Sequence, residues 1–167
     1  MKLYILRHGI AVERKTPGFT ENSRPLTDEG VTKMKKAANG MKAVISSFDV
    51  ILTSPLKRAF DTATIVADAF NYKDKPEVCE ALSPGSDPKE LLDYVKRHFQ
   101  GKRVLLVGHE PHLGHFAAAA LEAPVLFDFK KGGLCLLEKR PDVPGKMLLV
   151  MMLPPKVLRA MRRSGRV

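Results

Sequence analysis

The sequence predicts a three-layer α/β/α sandwich, in which helices cover both faces of a mainly parallel central sheet. Short apolar runs that end at turn residues, as buried strands do, alternate along the chain with segments of helical period. Strands that alternate with helices imply parallel crossover connections, which bury a sheet on both sides. The 167 residues contain no repeat or linker that would divide them, so residues 1–167 are expected to form a single domain.

Three apolar runs are expected to form the middle of the sheet: residues 2–7, 49–53 and 103–107. Two later runs, residues 133–138 and 147–152, flank a segment that contains proline and glycine. That arrangement is typical of an antiparallel hairpin. We therefore expect the hairpin to extend one edge of the sheet.

Helix start signals separate these runs. Thr27 and Asp87 are suited to capping the helices that follow them, and Ser54 with Pro55 is suited to opening another. Residues 9–26, which contain prolines and a glycine, predict a long loop. The predicted helices cover residues 28–45, 55–70, 88–99 and 111–121, followed by a short basic helix that begins at residues 154 and 155.

The composition, with 44% hydrophobic residues, is that of a folded chain and excludes intrinsic disorder. No apolar run approaches the roughly 18 to 20 residues that cross a bilayer, and the chain starts with a strand-like run instead of a signal peptide. We therefore expect a cytoplasmic protein without membrane partners. The sequence leaves the oligomeric state open, and a monomer is favoured. Cys79 and Cys135 lie in apolar segments and are expected to be reduced and structural.

The net charge of +10 favours anionic partners. Two stretches carry much of the excess, one at residues 33–42 and one at residues 156–166. Charge runs of this kind usually form solvated helix faces.

Chemically capable side chains follow the three central runs. Ligands of open α/β sheets bind beyond the carboxyl ends of the strands. The first run delivers Arg7 and His8 to that edge, the second delivers residues 53–55 with Arg58 one turn later, and the third delivers His109. Arginine forks and a histidine donor suit the three equatorial oxygens of a phosphoryl group in transfer. The sequence therefore predicts a site for phosphoryl chemistry.

The set of motifs resembles the histidine phosphatase superfamily, the phosphoglycerate mutase-like enzymes, and within it the SixA-type phosphohistidine phosphatases. The similarity spans nearly the whole chain in the same order. It implies a phosphoglycerate mutase-like fold and a phosphatase whose catalytic residues are His8, Arg7, Arg58 and His109. The matching motifs are Arg7-His8-Gly9, Arg24-Pro25-Leu26-Thr27, Ser54-Pro55-Leu56-Lys57-Arg58-Ala59 and Gly108-His109-Glu110-Pro111.

The resemblance implies that His8 attacks phosphorus and that water hydrolyses the phosphohistidine intermediate, with no metal or cofactor. An imidazole is nucleophilic at one nitrogen only while the other keeps its proton. His8 therefore needs an acceptor, which we expect within the Gly9 loop. Arg7, Arg58 and His109 are expected to bind the phosphoryl oxygens, and Arg24 to add a phosphate or substrate contact.

Relatives that cleave phosphate esters generally supply a glutamate that protonates the leaving alkoxide, and the position that we align with this acid is Pro84. Glu80, Asp87 and Glu13 are the alternative acids. A phosphoramidate has a better leaving group and needs a general acid less. The sequence thus favours phosphohistidine on a protein, such as a phosphocarrier or phosphotransfer domain, and a small phosphate ester is the alternative.

Two other classes of function, a nucleic-acid binder and a phosphate sensor, are alternatives to a phosphatase. A metal site is a third alternative. A nucleic-acid binder fits the basic charge, but the chain has no tryptophan and no zinc-finger or RNA-recognition motif. A phosphate sensor without turnover is disfavoured by the intact Arg7 and His8. A metal site at His109, His112 and His115 is disfavoured because Pro111 places the first histidine before the helix. His112 and His115 are expected on the cleft wall or the surface.

Overall fold

Six strands form one sheet in the computed structural model, which describes residues 1–125, 127–140, 142 and 146–162. The strands are β1 (Lys2–Arg7), β2 (Val50–Thr53), β3 (Glu77–Val78), β4 (Arg103–Gly108), β5 (Leu134–Lys139) and β6 (Met147–Leu153). Their order across the sheet is β3-β2-β4-β1-β5-β6. The first four in this order run parallel, whereas β5 pairs antiparallel with both β1 and β6. The mainly parallel sheet with an edge hairpin is confirmed.

Helices cover both faces of this sheet. They are α1 (Asp28–Met41), α2 (Lys57–Ala69), α3 (Pro88–His98), α4 (His112–Leu121) and α5 (Pro155–Ala160). Alternate residues of β1 point to opposite faces, so Tyr4 and Leu6 pack with α1, α2 and α5. Leu3 and Ile5 pack with α3 and α4 on the other face. The predicted three-layer sandwich is therefore confirmed.

Two predicted helix caps are present. The Thr27 hydroxyl accepts a hydrogen bond from the backbone N–H of Gly30 at 3.0 Å, and the Asp87 carboxylate accepts one from Lys89 at 2.9 Å. Each satisfies one of the backbone donors that a helix leaves free in its first turn. Between β1 and α1 the chain forms the predicted loop, which an isolated bridge between Ala11 and Leu26 closes.

Two predicted helix boundaries were wrong. Helix α1 ends at Met41 and not at residue 45, because the N–H groups of residues 42–44 bond three residues back and tighten the chain into a turn. Helix α2 begins at Lys57 and not at Pro55. The Ser54 hydroxyl accepts from the N–H of Leu56 and also bonds a histidine, so it forms a turn before the helix instead of capping it.

One edge of the sheet holds a short strand that the sequence did not predict. Strand β3 is two exposed residues long and shows no hydrophobic pattern.

Residues 141 and 143–145 of the predicted hairpin turn, and residues 163–167 of the basic tail, lie outside the described residues. Cys79 and Cys135 are both buried and free, as predicted. None of the helices in the described part of the chain has the length and apolar character that crossing a bilayer requires.

Candidate active site

Three parallel strands end at the same edge of the sheet and open into one cleft. The N–H of His8 donates to the Gly108 carbonyl at 3.1 Å, and that of Ser54 to the Val107 carbonyl at 2.9 Å, so the segments after β1, β2 and β4 lie side by side. The cleft has a volume of about 820 Å³. It is lined by all five side chains that the sequence predicted for the site: Arg7, His8, Arg24, Arg58 and His109.

The imidazole of His8 is buried and fixed by its own loop. Its Nδ1 lies 2.7 Å from the Gly9 carbonyl, which can only accept, so Nδ1 carries the proton and Nε2 carries the lone pair. Burial lowers the pKa of His8 to about 3, against the opposing effect of the Gly9 carbonyl and with help from Arg58 and Arg7. The ring is therefore neutral at pH 7, and the predicted acceptor in the Gly9 loop is confirmed.

Arg7 and Arg58 enter the cleft with unused donors. An Nη1–H of Arg7 donates to the Phe129 carbonyl. Arg58 is only 3% exposed and donates to Glu21 twice, to its carbonyl at 2.8 Å and to its carboxylate at 2.9 Å. The Nε atoms of both arginines are buried and have no hydrogen-bond partner among the described residues. Unpaired buried donors are rare in folded proteins, so these two are candidates for binding a ligand in the cleft.

Arg24 reaches the cleft but is committed to the loop before α1. It donates to the Val12 carbonyl, and to the Glu21 carboxylate at 2.7 and 3.2 Å. The hydrogen bond from Arg24 lowers the pKa of Glu21, and the charge of Arg58 adds to this effect. Glu21 thus links two arginines of the site. Sequence reasoning missed Glu21, because a carboxylate in a long loop shows its partners only once the loop is folded.

His109 lies beside His8 with its ring held by Ser54. The ring centroids of the two histidines are 5.0 Å apart, with planes inclined by 55°. Nε2 of His109 is 2.8 Å from the Ser54 hydroxyl, whereas Nδ1 is buried without a partner in the described part of the chain. Burial, with smaller contributions from His8 and Arg58, lowers the pKa of His109 to about 2. This histidine is also neutral at pH 7.

Only some of the residues considered as the general acid line the cleft. Pro84, which aligns with the acid of ester-cleaving relatives, lines the cleft, and so does Glu13. Asp87 is occupied in capping α3. Glu80 lies on a different cavity, next to α3. Of the three alternatives considered from the sequence, the structure therefore brings only Glu13 to the cleft.

A further carboxylate of the cleft, Glu110, was not predicted. It accepts hydrogen bonds from the N–H of Phe129 at 2.9 Å and of Gly114 at 3.3 Å, and burial raises its pKa. Because the carbonyl of Phe129 accepts from Arg7, Glu110 fixes the segment that orients this arginine. Its place in the Gly108–Pro111 motif was the only signal in the sequence.

The three histidines near α4 separate. His109 lines the cleft, His112 is buried but does not line it, and His115 is exposed. The expectation that His112 lies on the cleft wall or the surface was wrong, because the first turn of α4 points it into the interior. Within the described residues, no group of three or more His, Cys, Asp or Glu side chains is placed to hold a metal ion.

Comparisons with known proteins agree with the motifs. The family model described as histidine phosphatase superfamily (branch 1) matches residues 3–83. A phosphohistidine phosphatase SixA homolog of Haemophilus influenzae is 31% identical over 127 residues, which cover 71% of this chain and 76% of the homolog. Phosphohistidine phosphatase SixA of Escherichia coli is 29% identical over 131 residues, covering 76% of this chain and 80% of that protein.

The fold comparison covers more of the chain. A structure of the protein histidine phosphatase SixA complexed with tungstate superposes with a TM-score of 0.83 and 25% identity, over 95% of this chain and 99% of that one. The similarity thus extends through β4 and the hairpin, beyond the residues that the family model matches. The chain belongs to the histidine phosphatase superfamily, with SixA-type proteins among its relatives, and is a histidine-dependent phosphatase.

Proposed function

We propose that this phosphatase removes the phosphoryl group from phosphohistidine on a protein, through a covalent phosphohistidine intermediate on His8. The observation that carries the proposal is the hydrogen bond from Nδ1 of His8 to the Gly9 carbonyl. It leaves the lone pair on Nε2 of a ring that is neutral because burial lowers its pKa to about 3. A neutral imidazole with one fixed proton is the form that attacks phosphorus.

The buried donors of the cleft fit the phosphoryl group that this nucleophile would attack. Nε of Arg7, Nε of Arg58 and Nδ1 of His109 lack partners among the described residues, and all three side chains line the cleft. We assign one or more phosphoryl oxygens to each of them. Donors that are already in place where charge develops stabilise a transition state without reorganisation.

The proposed cycle has two steps. In the first, Nε2 of His8 forms a bond to phosphorus while the phosphorus–nitrogen bond of the substrate breaks. The leaving imidazole departs as a neutral ring, because its other nitrogen has taken up a proton from solvent. In the second, water attacks phosphorus, and the bond to Nε2 breaks. The products are inorganic phosphate and His8 with Nδ1 still protonated. The Gly9 carbonyl can hold the Nδ1 proton throughout.

The state of the acids supports a nitrogen-linked substrate. An alkoxide must be protonated as it leaves an ester, but Pro84 has no proton to give, Glu21 is bound to two arginines and Glu110 is bound to backbone N–H groups. A protonated imidazole needs no such acid. The names of the relatives agree, since two of them are called phosphohistidine phosphatase. A small phosphate ester is the second candidate, which the position of Glu13 in the cleft favours.

Phosphate release by the purified wild type and by His8→Ala, from a phosphohistidine peptide and from a simple phosphate ester, tests the proposal. We expect the wild type to prefer the phosphohistidine peptide and His8→Ala to be inactive on both substrates while keeping the wild-type circular dichroism. Quenching the wild-type reaction in alkali, which preserves phosphohistidine, should trap a phosphorylated chain. Preference for the ester would replace the substrate assignment, and wild-type activity in His8→Ala would remove His8 as the nucleophile.

A further inference from the structure

Two cavities extend the cleft along one side of the molecule. The first, of about 500 Å³, shares Arg7 and Lys131 with the cleft and runs along α1. The second, of about 670 Å³, shares Arg159 with the first. Because each shares lining residues with its neighbour, the three form one continuous surface. Apart from Arg7, we call the positively charged residues of the two outer cavities the basic strip, which consists of Lys33, Lys36, Lys42, Lys130, Lys131, Arg159 and Arg162.

Most cations of the basic strip have no ion-pair partner among the described residues. Among the described residues, no aspartate or glutamate lines either of the two outer cavities. Lys33 pairs with Glu29, and Lys130 pairs with Asp128 at 2.9 Å. The remaining five cations of the strip form no ion pair with a described residue. The lining of the cleft itself differs, because it includes the carboxylates of Glu13, Glu21 and Glu110.

We propose that the basic strip docks an acidic surface of the phosphorylated protein whose phosphohistidine enters the cleft. This inference rests on the proposed function and names the surface that would recognise the substrate. Each outer cavity is as large as many small-molecule pockets, and together they reach far beyond a single phosphoryl group. Long cationic side chains at an open rim mainly accelerate the encounter with an oppositely charged protein.

A nucleic acid fits the basic strip less well. Proteins that bind single strands stack bases on aromatic side chains next to the basic groove. In the part of the chain that the structure describes, no aromatic side chain lines either outer cavity. An acidic protein surface needs only the charges that are present. The strip includes Lys131, which also lines the cleft, so a docked partner would lie against the mouth of the cleft.

Synthetic phosphohistidine peptides separate docking from chemistry. Two peptides of about 20 residues are long enough, since an extended chain spans roughly 3.3 Å per residue. Both carry phosphohistidine at one end, and their tails are either aspartate and glutamate or serine and glutamine. Phosphoramidate serves as a substrate without a tail. The test variant is Lys36→Glu with Arg159→Glu, and the control is Lys89→Glu with Arg97→Glu, which makes the same charge change on α3 at the other face of the sheet.

We expect the wild type to turn over the acidic peptide with a kcat/KM roughly tenfold or more above that of the neutral peptide, and this preference to disappear at high salt. The Lys36→Glu/Arg159→Glu variant should lose the preference and keep wild-type activity on phosphoramidate. The Lys89→Glu/Arg97→Glu control should keep both. Equal turnover of the two peptides by the wild type, or equal loss in the control, would overturn the docking proposal.

A binding measurement keeps the two proposals apart. Fluorescence anisotropy of the labelled, unphosphorylated acidic peptide reports docking without any reaction. If the wild type bound this peptide but released no phosphate from any phosphohistidine substrate, the proposed function would fail and the docking surface would stand. If a labelled oligonucleotide bound to the strip more tightly than the acidic peptide, the occupant would be a nucleic acid and the docking proposal would be wrong.

Discussion

The hydroxyl of Ser54 lies 2.8 Å from Nε2 of His109, where it can donate its proton to that nitrogen. The hydroxyl already accepts from the N–H of Leu56 at 3.3 Å, so its own proton is available to His109. With Nε2 accepting, Nδ1 keeps the proton that the proposed mechanism donates to the phosphoryl group.

Replacing Ser54 with alanine should therefore impair catalysis more than binding. We expect Ser54→Ala to lower kcat about tenfold with a smaller change in KM, because the His109 tautomer is no longer fixed. Nitrogen-15 NMR of the imidazoles should show the Nδ1–H form of His109 in the wild type and a mixture in the variant. An unchanged tautomer in Ser54→Ala would contradict this role.

Replacing Arg58 with lysine should cost activity although the charge is retained. A lysine cannot donate to Glu21 at two points and also present a donor to the cleft, as the planar guanidinium does. We expect kcat/KM to fall roughly 10²- to 10³-fold, the usual loss for one preorganised transition-state donor. The neighbouring Lys57→Ala, at an exposed ion pair with Asp61, is the control and should stay within threefold of the wild type. A similarly small loss in Arg58→Lys would remove Arg58 from the site.

Introducing a glutamate at position 84 should widen the substrate range. Pro84 lines the cleft, so Pro84→Glu places a carboxyl group where an ester's leaving oxygen could receive its proton. A general acid typically raises the rate of a reaction 10²- to 10⁴-fold. Because the new carboxyl group has not been placed optimally, we expect the rate of ester hydrolysis to rise roughly tenfold or more. Activity on phosphoramidate should not rise. Ser83→Glu, one residue away and outside the cleft lining, is the matched control, and an equal gain there would exclude a site-specific effect.

The two neutral histidines should make the fold sensitive to acid. Burial lowers the pKa of His8 to about 3 and that of His109 to about 2. Below pH 6.5 these histidines therefore bind protons in the unfolded chain but stay neutral in the folded one. The contribution of His8 to stability is thus complete above pH 6.5 and is lost as the pH falls towards 3, by up to about 1.4 kcal/mol per pH unit. The unfolding free energy, measured with urea, should fall between pH 6.5 and pH 4.5 in both proteins. The fall should be smaller in His8→Asn than in the wild type, by on the order of 2 kcal/mol. Identical losses would show that His8 is protonated in the folded state.

Gly132 offers a test of the backbone that holds the nucleophile. Its N–H donates to the carbonyls of Arg7 at 3.0 Å and His8 at 3.1 Å, and its φ of 79° favours glycine. A Cβ here would also lie 3.0 Å from the sulfur of Met34. Gly101 has a similar φ of 76° but open space around it. Both Gly132→Ala and Gly101→Ala should lose about 1 to 2 kcal/mol of unfolding free energy, and only Gly132→Ala should lose activity. Full activity in Gly132→Ala would show that this contact does not position His8.

The sequence predicted those parts of the molecule that depend on local patterns. Apolar runs located the central strands, capping residues located α1 and α3, and strand ends located His8 and Arg58. The sequence did not predict features that depend on contacts between residues far apart in the sequence. Helix α2 starts at Lys57, and the Ser54 hydroxyl before it bonds a histidine 55 residues away. Glu110 joins the site through backbone N–H groups of a separate segment, and nothing in its own neighbourhood shows that.

The position of β1 between β4 and β5 makes the nucleophile depend on residues far along the sequence. The N–H of His8 bonds to Gly108, and its carbonyl bonds to Gly132. A truncated chain that lacks residues 103–139 would therefore keep His8 but lose both strands that border β1 and both backbone contacts that hold the histidine in the cleft.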